Sequence, residues 1–355
     1  MSLPSKSTAP ALFVDQDCNY KIIHDVPVPE LVPGEVVVKV SFSGVNPADV
    51  KHAPHLGVRS TVMGYDFSGH VVGANPGSLF KAGDVVAGHV PTGVGKPWKY
   101  GAHQEYLACP EELLFKVPAN LPLDHAAALT TVVATAADGL YSIFNYPLPG
   151  EQPAAGFTRG PLLIWGASTS VGLCMLQLAR ASGASPIFVT ASPKRHALLE
   201  KLGATRCFDY ASPDVVSAIE AAVAEAGPIA YAADCAGSVG EDSSAEQMLR
   251  CVGADASVLS VVGGKNKRLK MPLASAHSPV KLAFGGGPTV EIPARPEAAA
   301  KMWKSVHWTV DNYGSKFVLP VVDVFKGEAE KALEEVKKVA VLGKFGKLVL
   351  GHPLS

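Results

Sequence analysis

Long hydrophobic runs are missing from this chain of 355 residues. Nowhere does it hold the roughly 18 consecutive apolar residues of a membrane-spanning helix, so no membrane span is expected. The opening MSLPSKSTAPALFV lacks the apolar core of a secretory signal, and the closing HPLS matches no lipidation or retention signal. An excess of one charge is also missing: 31 basic residues stand against 32 acidic ones, for a net charge of −1. That balance gives no electrostatic reason to expect nucleic acid or an anionic membrane surface as a partner. The six cysteines, Cys18, Cys109, Cys174, Cys207, Cys235 and Cys251, form no CxxC pair, which excludes a zinc ribbon and a thioredoxin-type motif. A chain of this size needs no disulfide staples, so a reducing, cytoplasmic setting is expected. There is no internal repeat and no low-complexity tract.

What is present is a compact composition, 48% hydrophobic and 18% charged, in a chain long enough for two domains. Residues 10–125 read as β-rich. Residues 35–42 (EVVVKVSF) follow a Pro33-Gly34 turn, and further short strands fall at 64–73, 83–88 and 105–108, split by Gly and Pro. That pattern predicts a barrel-like β domain. The character changes near Leu123, where 123–143 is Ala-rich and predicts a helix. From Pro161 onward, strands at 161–165, 186–190, 229–235 and 257–262 alternate with helical stretches, which predicts βαβ units and a parallel sheet. The tail reads as strands at 319–324 and 346–350 flanking a helix at 328–339, and is expected to return to the first domain. The fold class is thus α/β, with one domain formed by 1–124 and 318–355 and the other by 125–317.

Residues 166–172 (GASTSVG) lie between a predicted strand and a predicted helix. A loop at this place aims backbone N–H groups and the positive helix terminus at a pyrophosphate. Gly166 permits the tight turn and Gly172 close helix–sheet packing. The loop is poorer in glycine than the usual GxGxxG, and its hydroxyls, on Ser168, Thr169 and Ser170, are suited to bond phosphate oxygens, with Val171 behind them. A Ser- and Thr-rich βα turn is the plainer alternative. The next strand carries no Asp or Glu for a ribose 2′-OH. It ends instead in Ser192, Pro193, Lys194 and Arg195, a hydroxyl and two cations that suit a 2′-phosphate, with Tyr210 placed to close over that phosphate or the adenine. Cations at the start of a helix oppose its dipole, so their presence asks for an anion. The cofactor expected is NADPH.

Residues 43–51 (SGVNPADVK), 64–69 (GYDFSG), 83–86 (GDVV), 101–106 (GAHQEY) and the GASTSVG loop together resemble the medium-chain dehydrogenase/reductase superfamily, over nearly the whole length. The resemblance implies a GroES-like barrel plus a Rossmann domain, with the active site in the cleft between them. The zinc branch of that superfamily carries Cys where this chain has Asn46 and Gly-His-Glu where it has Gly64-Tyr65-Asp66, and it has a Cys-rich lobe that is missing here. Without soft ligands at those places no zinc site, and no other metal site, is expected. His89 and His103 read as packed or surface residues. Within the zinc-free branch the chain resembles the trans-acting enoyl reductases of fungal polyketide synthase clusters, the group that includes the lovastatin enoyl reductase. The pointers are Asn46 to Lys51, the GASTSVG loop followed by Ser192-Pro193-Lys194, and 307–310 (HWTV).

This resemblance implies a reaction and a partner. Hydride from NADPH goes to the β-carbon of an α,β-unsaturated polyketide thioester carried on the acyl carrier protein of a polyketide or hybrid synthase, and the enolate is then protonated. The protein's task is positioning and charge stabilisation at the thioester oxygen. Lys51 is the first candidate for that oxygen or for the nicotinamide ribose; a surface lysine is its plainer reading. The resemblance places Asn46, Pro47 and Asp49 near the cofactor with it. It places Thr135 near the nicotinamide or acyl group, with Thr131, Val132, Ala134 and Asp138 lining the cleft and small residues leaving room for a chain; an Ala-rich core helix is the alternative. Val261, Val262 and Gly263 offer backbone groups to the carboxamide. Gly346, Lys347 and Leu348 lie near the nicotinamide by the same pattern. Leu282, Phe284 and Gly285 match an acyl-pocket segment, unless Phe284 is a core anchor. No residue stands out as general acid. Two other functions stay open: a free quinone or small-enone reductase of the same branch, and a non-catalytic NADPH-binding protein. An acyl-carrier partner favours a basic docking surface, for which Lys265, Lys267, Arg268 and Lys270 are candidates, although such a run is usually a solvated loop.

Overall fold

The computed structural model describes residues 5–355, so the first four residues of the expected 1–124 segment lie outside the described residues. Contacts divide the chain into two units. One holds the described residues up to Thr131 with Ser275–Arg295 and Pro320–Ser355; the other holds Val132–Ala274 and Pro296–Leu319. No helix is long and apolar enough to cross a membrane among the described residues, and all six cysteines are free thiols.

The first unit is organised by the valine-rich strand Glu35–Gly44, ten residues long and mostly buried. β-Branched residues suit such a surface because their stiff side chains pack well on a pleated sheet. This strand pairs antiparallel with Asp66–Ala74, Tyr106–Pro110 and Lys347–Gly351. The path across the sheet runs Val322–Phe325, Lys347–Gly351, Glu35–Gly44, Asp66–Ala74, Val85–His89, Leu114–Lys116, with Tyr106–Pro110 added on the central strand. Register shifts between Val37 and Val38 and between Val40 and Phe42 bend the strand, as an extra unpaired residue does. A second sheet orders Tyr20–Ile23, Ala11–Val14 and Thr61–Val62. The helix Ala329–Leu342 buries Ala329, Ala332, Leu333, Val336, Val339 and Ala340, the spacing of one helical face. It closes a core with Leu12, Val14, Val45, Ala53, Met63, Leu348 and Leu350.

The segment Ser275–Arg295 groups with the first unit, whereas the sequence reading placed it in 125–317. It forms the hairpin Val280–Leu282 with Val290–Ile292. Backbone hydrogen bonds tie it there: Val94 N–H to Lys281 O at 2.7 Å and Ala283 N–H to Leu56 O at 2.9 Å.

The second unit is built on a five-stranded sheet in the order Arg206–Phe208, Ile187–Thr190, Leu162–Trp165, Tyr231–Asp234, Ser257–Ser260, every pair parallel. Leu163, Phe188, Ile219, Ala222, Met248 and Val258 fill one face. Chain order reverses on either side of Leu162–Trp165, and in such sheets ligands bind beyond the carboxyl ends of the strands at that point. The expected continuous helix over 123–143 is interrupted. Leu123–Ala126 and Thr130–Ala137 are α-helical, and Asp138–Ile143 is a π-turn. There Gly139 packs so close to Met175 and Leu259 that a Cβ would lie 2.9 and 3.0 Å from their side chains.

Two histidines of the first unit, the buried His89 and the half-buried His352, are held below their ordinary range. Burial pushes His89 down to about 3. Burial, with His103 beside it, pushes His352 down to about 3 as well. An unfolded histidine titrates near 6.5. Below that pH the unfolded chain binds more protons than the folded one, so folding loses roughly 1.4 kcal/mol per pH unit for each such group. Urea unfolding followed by circular dichroism is expected to show a lower midpoint at pH 5 than at pH 7; an unchanged midpoint would contradict the lowered range of these histidines.

Candidate active site

In the first unit three of the expected site residues, Asn46, Thr131 and Lys347, gather around an aspartate that the sequence reading quoted only as part of a motif. Asp66 opens its strand opposite Gly44 and is fully buried. Its Oδ2 accepts from Asn46 Nδ2 at 2.8 Å, and its Oδ1 accepts from the Thr131 backbone N–H at 2.7 Å. Lys347, only 3% exposed, donates from Nζ to Asn46 Oδ1 at 2.7 Å and to Val45 O at 2.9 Å. Burial pushes the Asp66 carboxyl up, and the Lys347 charge with the hydrogen bonds from Thr131 and Asn46 pulls it back. Lys347 therefore reaches inward to Asn46, rather than standing open to a ligand. The orientation of the Asn46 amide follows: its oxygen faces the ammonium and one N–H faces the carboxylate, leaving one N–H to give.

The backbone around Asn46 explains how the chain arrives there. Pro47 caps the helix Ala48–Leu56 with φ −53°, the value its ring imposes. Asn46 N–H donates to Asp49 Oδ2 at 2.8 Å. Val45 N–H donates to Leu348 O at 2.9 Å. Gly346 has φ +78°, and a Cβ there would meet Val321 O at 2.4 Å, so glycine is required. Lys51 is half-buried, and its ammonium has no hydrogen-bond or ion-pair partner among the described residues. At the far end of the same helix, Leu56 holds the Leu282–Gly285 segment through the Ala283 bond; Leu282 is buried and Phe284 is 45% exposed.

Three further groups surround Asp49, and none was named from sequence as a site residue. His103, expected to be merely packed, places Nε2 3.1 Å from Asp49 Oδ2 and Nδ1 2.8 Å from Ser43 Oγ. Lys96 is 6% exposed, donates to Gly64 O at 3.1 Å and lies 4.5 Å from the Tyr65 ring centre. Burial brings its ammonium down to about 7, against the Asp49 charge. Tyr65 OH lies 2.9 Å from His52 Nδ1. A lone loop lysine and a tyrosine inside a glycine-bounded motif carry no sequence signal of such burial.

In the second unit the expected nucleotide residues all follow carboxyl ends of the parallel strands. Gly166, after Leu162–Trp165, has φ +81°, and a Cβ would lie 2.8 Å from Ala236. At Gly172 a Cβ would meet Gly166 O at 2.4 Å, so both glycines are set by close approach. Thr169 caps the helix Ser170–Ala181. Its hydroxyl accepts from Gly172 N–H at 3.1 Å and donates to Cys235 O at 3.0 Å. That corrects the expectation of a phosphate-binding hydroxyl at Thr169, because both of these internal bonds already use it. Ser168 has no partner among the described residues, and Val171 sits in the first turn, where helices leave backbone N–H groups unpaired. Asp234, also missed from sequence, is fully buried. Its Oδ1 accepts from Ala236 and Gly237 N–H at 3.1 and 3.2 Å, and its Oδ2 from Ser260 Oγ at 2.8 Å. It thereby shapes the turn against which Gly166 packs. Val261 N–H donates to Asp234 O at 3.0 Å, and Val262 packs against Gly237 while Gly263 turns with φ +69°. Ser192 is half-buried and precedes the single turn Pro193–Arg195. Lys194 is exposed, without an ion-pair partner among the described residues, and Tyr210 is 49% exposed.

The helix Thr130–Ala137 departs from expectation. Val132 is 4% exposed, Ala134 1%, and Ala136, Ala137 and Asp138 are fully buried. These small side chains are spent on packing rather than on leaving room for a chain, and Asp138 Oδ2 accepts from Leu273 N–H at 2.8 Å. Thr131 and Thr135 are half-buried. Of the basic run, Arg268 is tied to Gly253 O and Ala256 O.

No group of three His, Cys, Asp or Glu side chains suited to a metal ion occurs among the described residues. Where the zinc branch carries its Cys and His-Glu, this chain has an amide–carboxylate pair backed by an ammonium.

A GroES-like unit with a parallel dinucleotide-type sheet is the architecture of the medium-chain dehydrogenase/reductase class. Residues 32–119 match the alcohol dehydrogenase GroES-like domain and residues 170–285 the domain described as zinc-binding dehydrogenase; the chain belongs to this superfamily. It is similar to the trans-enoyl reductase resD of Aspergillus sclerotiorum, with 35% identity over 211 residues, 56% of this chain and 58% of the relative. It is similar also to trans-enoyl reductase caaB of Aspergillus niger, with 33% identity over 240 residues, 66% of this chain and 64% of the relative. Trans-enoyl reductase mpsG of Macrophomina phaseolina is 33% identical over 240 residues, 66% of this chain and 65% of the relative. The matches thus span less than two thirds of the length of these relatives. Among solved structures, the CurK enoyl reductase shares the fold with a TM-score of 0.70 at 19% identity, covering 98% of this chain and 100% of that chain. The quinone oxidoreductase from Coxiella burnetii does so with a TM-score of 0.66 at 20% identity, covering 97% and 99%.

Asp66→Ala removes one partner of a buried charged group and leaves Lys347 and Asn46 without it, so a loss of about 3–5 kcal/mol is expected in urea unfolding. A loss below about 1 kcal/mol would show that the carboxylate does not hold the site together.

Proposed function

We propose that the chain is an NADPH-dependent trans-acting enoyl reductase. In this reading it reduces the α,β-double bond of a polyketide thioester held on the acyl carrier protein of a polyketide or hybrid synthase. The observation that carries the proposal is the likeness, at 33–35% identity, to proteins named trans-enoyl reductases. The acid-free, cationic end of the strand Ile187–Thr190 supports the choice of NADPH.

The residues present fit a dinucleotide. Gly166 and Gly172 leave no space for a Cβ, so the loop is held tightly against Ala236 and against the start of its own helix. The first-turn amides of Ser170–Ala181, Val171 among them, offer donors to a pyrophosphate. Ser192, Lys194 and Arg195 offer a hydroxyl and two cations to a 2′-phosphate, with Tyr210 covering it, and Val261 to Gly263 would hold the carboxamide by backbone groups. When bound, NADPH supplies the hydride. Lys51 is assigned to the developing charge on the thioester oxygen or to the nicotinamide ribose, as the half-buried cation whose donors are unclaimed. Asn46 contributes its one remaining amide proton, and Lys347 fixes that amide's orientation. Thr135 is assigned to the nicotinamide or acyl group, and Leu282, Phe284 and Gly285 to the wall of the acyl pocket. In this reading the first unit, with Ser275–Arg295 included, serves as the GroES-like part, and Val132–Ala274 with Pro296–Leu319 as the Rossmann part.

The purified protein is expected to oxidise NADPH with an enoyl-pantetheine thioester, and a chelator should leave the rate unchanged. Reduction of simple quinones without any thioester reduction would overturn the proposal. Lys194→Ala should raise the KM for NADPH by roughly ten-fold, the worth of one charge-assisted hydrogen bond, and leave that for NADH nearly unchanged. An equal change in both would remove the 2′-phosphate assignment.

A further inference from the structure

Asp49 is almost fully buried, at 5% exposure, yet its Oδ1 has no hydrogen-bond partner. Everything that orients the carboxylate falls on Oδ2: the Asn46 N–H at 2.8 Å and His103 Nε2 at 3.1 Å. Asp49 lines a small cavity with His52, Tyr65 and Lys96, and the charges of Lys96 and Asp49 act on each other there. His103 adds a second bond to the same oxygen that Asn46 uses.

His103 is itself held. Its Nδ1 lies 2.8 Å from Ser43 Oγ, and Ser43 Oγ lies 2.7 Å from His352 Nε2. One assignment of protons satisfies the whole chain. His352 Nε2–H donates to Ser43 Oγ, the Ser43 hydroxyl donates to His103 Nδ1, and His103 Nε2–H donates to Asp49. His103 and Ser43 are fully buried, so water does not substitute for these contacts. Every donor in the row points toward one carboxylate oxygen, which in turn takes the backbone of the Asn46 turn.

We propose that His103 is a positioning residue, which through Asp49 fixes the turn from Asn46 to Lys51 in the geometry that receives the cofactor. The inference rests on the reading above that this turn faces NADPH. In a well-packed site a small misplacement of such a turn is costly, because bound geometry enters the barrier directly.

The test compares His103→Phe, which keeps the ring and removes both hydrogen bonds, with His103→Gln, whose amide again donates to Asp49. NADPH affinity is measured by fluorescence titration, alongside kcat and KM with the enoyl-pantetheine thioester and urea unfolding. His103→Phe is expected to weaken NADPH on the order of ten-fold, and His103→Gln to recover most of that loss. Should His103→Phe fail to fold, Ser43→Ala frees the ring at its other nitrogen and is expected to weaken NADPH in the same direction by a smaller factor. NADPH affinity unchanged in these variants, while Lys51→Ala weakens it, overturns the role of His103 and leaves the turn's assignment intact. Unchanged affinity in Lys51→Ala as well would remove the assignment of the turn itself.

Discussion

A carboxylate with no access to water needs every one of its contacts, because an unpaired charge in a low-dielectric interior is far more costly than an exposed one. Asp66 is in that situation. Its two oxygens take the Asn46 amide and the Thr131 backbone, and Lys347 stands behind the amide. Positions 46, 66, 131 and 347 are far apart in the chain and are tied at this one place. The glycine opposite Asp66 is part of the same constraint. At Gly44 a Cβ would lie 2.2 Å from Ala127 O and 2.9 Å from Asp66 Cβ, so the strand and the segment leading to Thr131 meet only because no side chain intervenes.

The second unit repeats the device with different surroundings. Asp234 is equally buried, and its oxygens gather two backbone N–H groups and the Ser260 hydroxyl. The turn it shapes supplies Ala236, against which Gly166 packs. In each unit a buried aspartate arranges backbone, and the residues assigned to ligand binding sit on the backbone so arranged. The polar residues best placed to touch a ligand are thus not the ones that determine its position.

Much of this was legible in the sequence. Alternating strands and helices beyond Pro161 predicted the parallel sheet, and the glycines of the 166–172 loop stand where close approach demands them. The family pattern singled out Asn46, Lys347 and Thr131 for a cofactor or a cleft, and not for the contacts they make around Asp66. Asp66 itself was hidden because a buried acid is defined by partners distant in sequence, which local periodicity does not report. Thr169 was misread for a related reason: a hydroxyl at a helix start caps its own helix whenever the geometry allows, and only the fold shows that its remaining proton goes to Cys235 O. The hairpin at Val280–Leu282 was placed with its neighbours in sequence, whereas its backbone bonds go to Val94 and Leu56. His103 looked like a packed histidine, and it is packed; its two bonds become visible only when Ser43 and Asp49 are brought to either side of it.

The ammonium of Lys347 has a consequence for any cation at this place. A zinc-binding relative needs a thiolate near position 46 and a divalent cation beside it, and a fixed positive charge 2.7 Å from the Asn46 side chain repels such an ion. Replacing Asn46 by cysteine alone would leave that repulsion in place, and removing the lysine alone would leave Asp66 buried without its counter-charge. Neither single step is neutral, so building a thiolate-held metal site at this place would take coordinated substitutions at positions 46, 66 and 347.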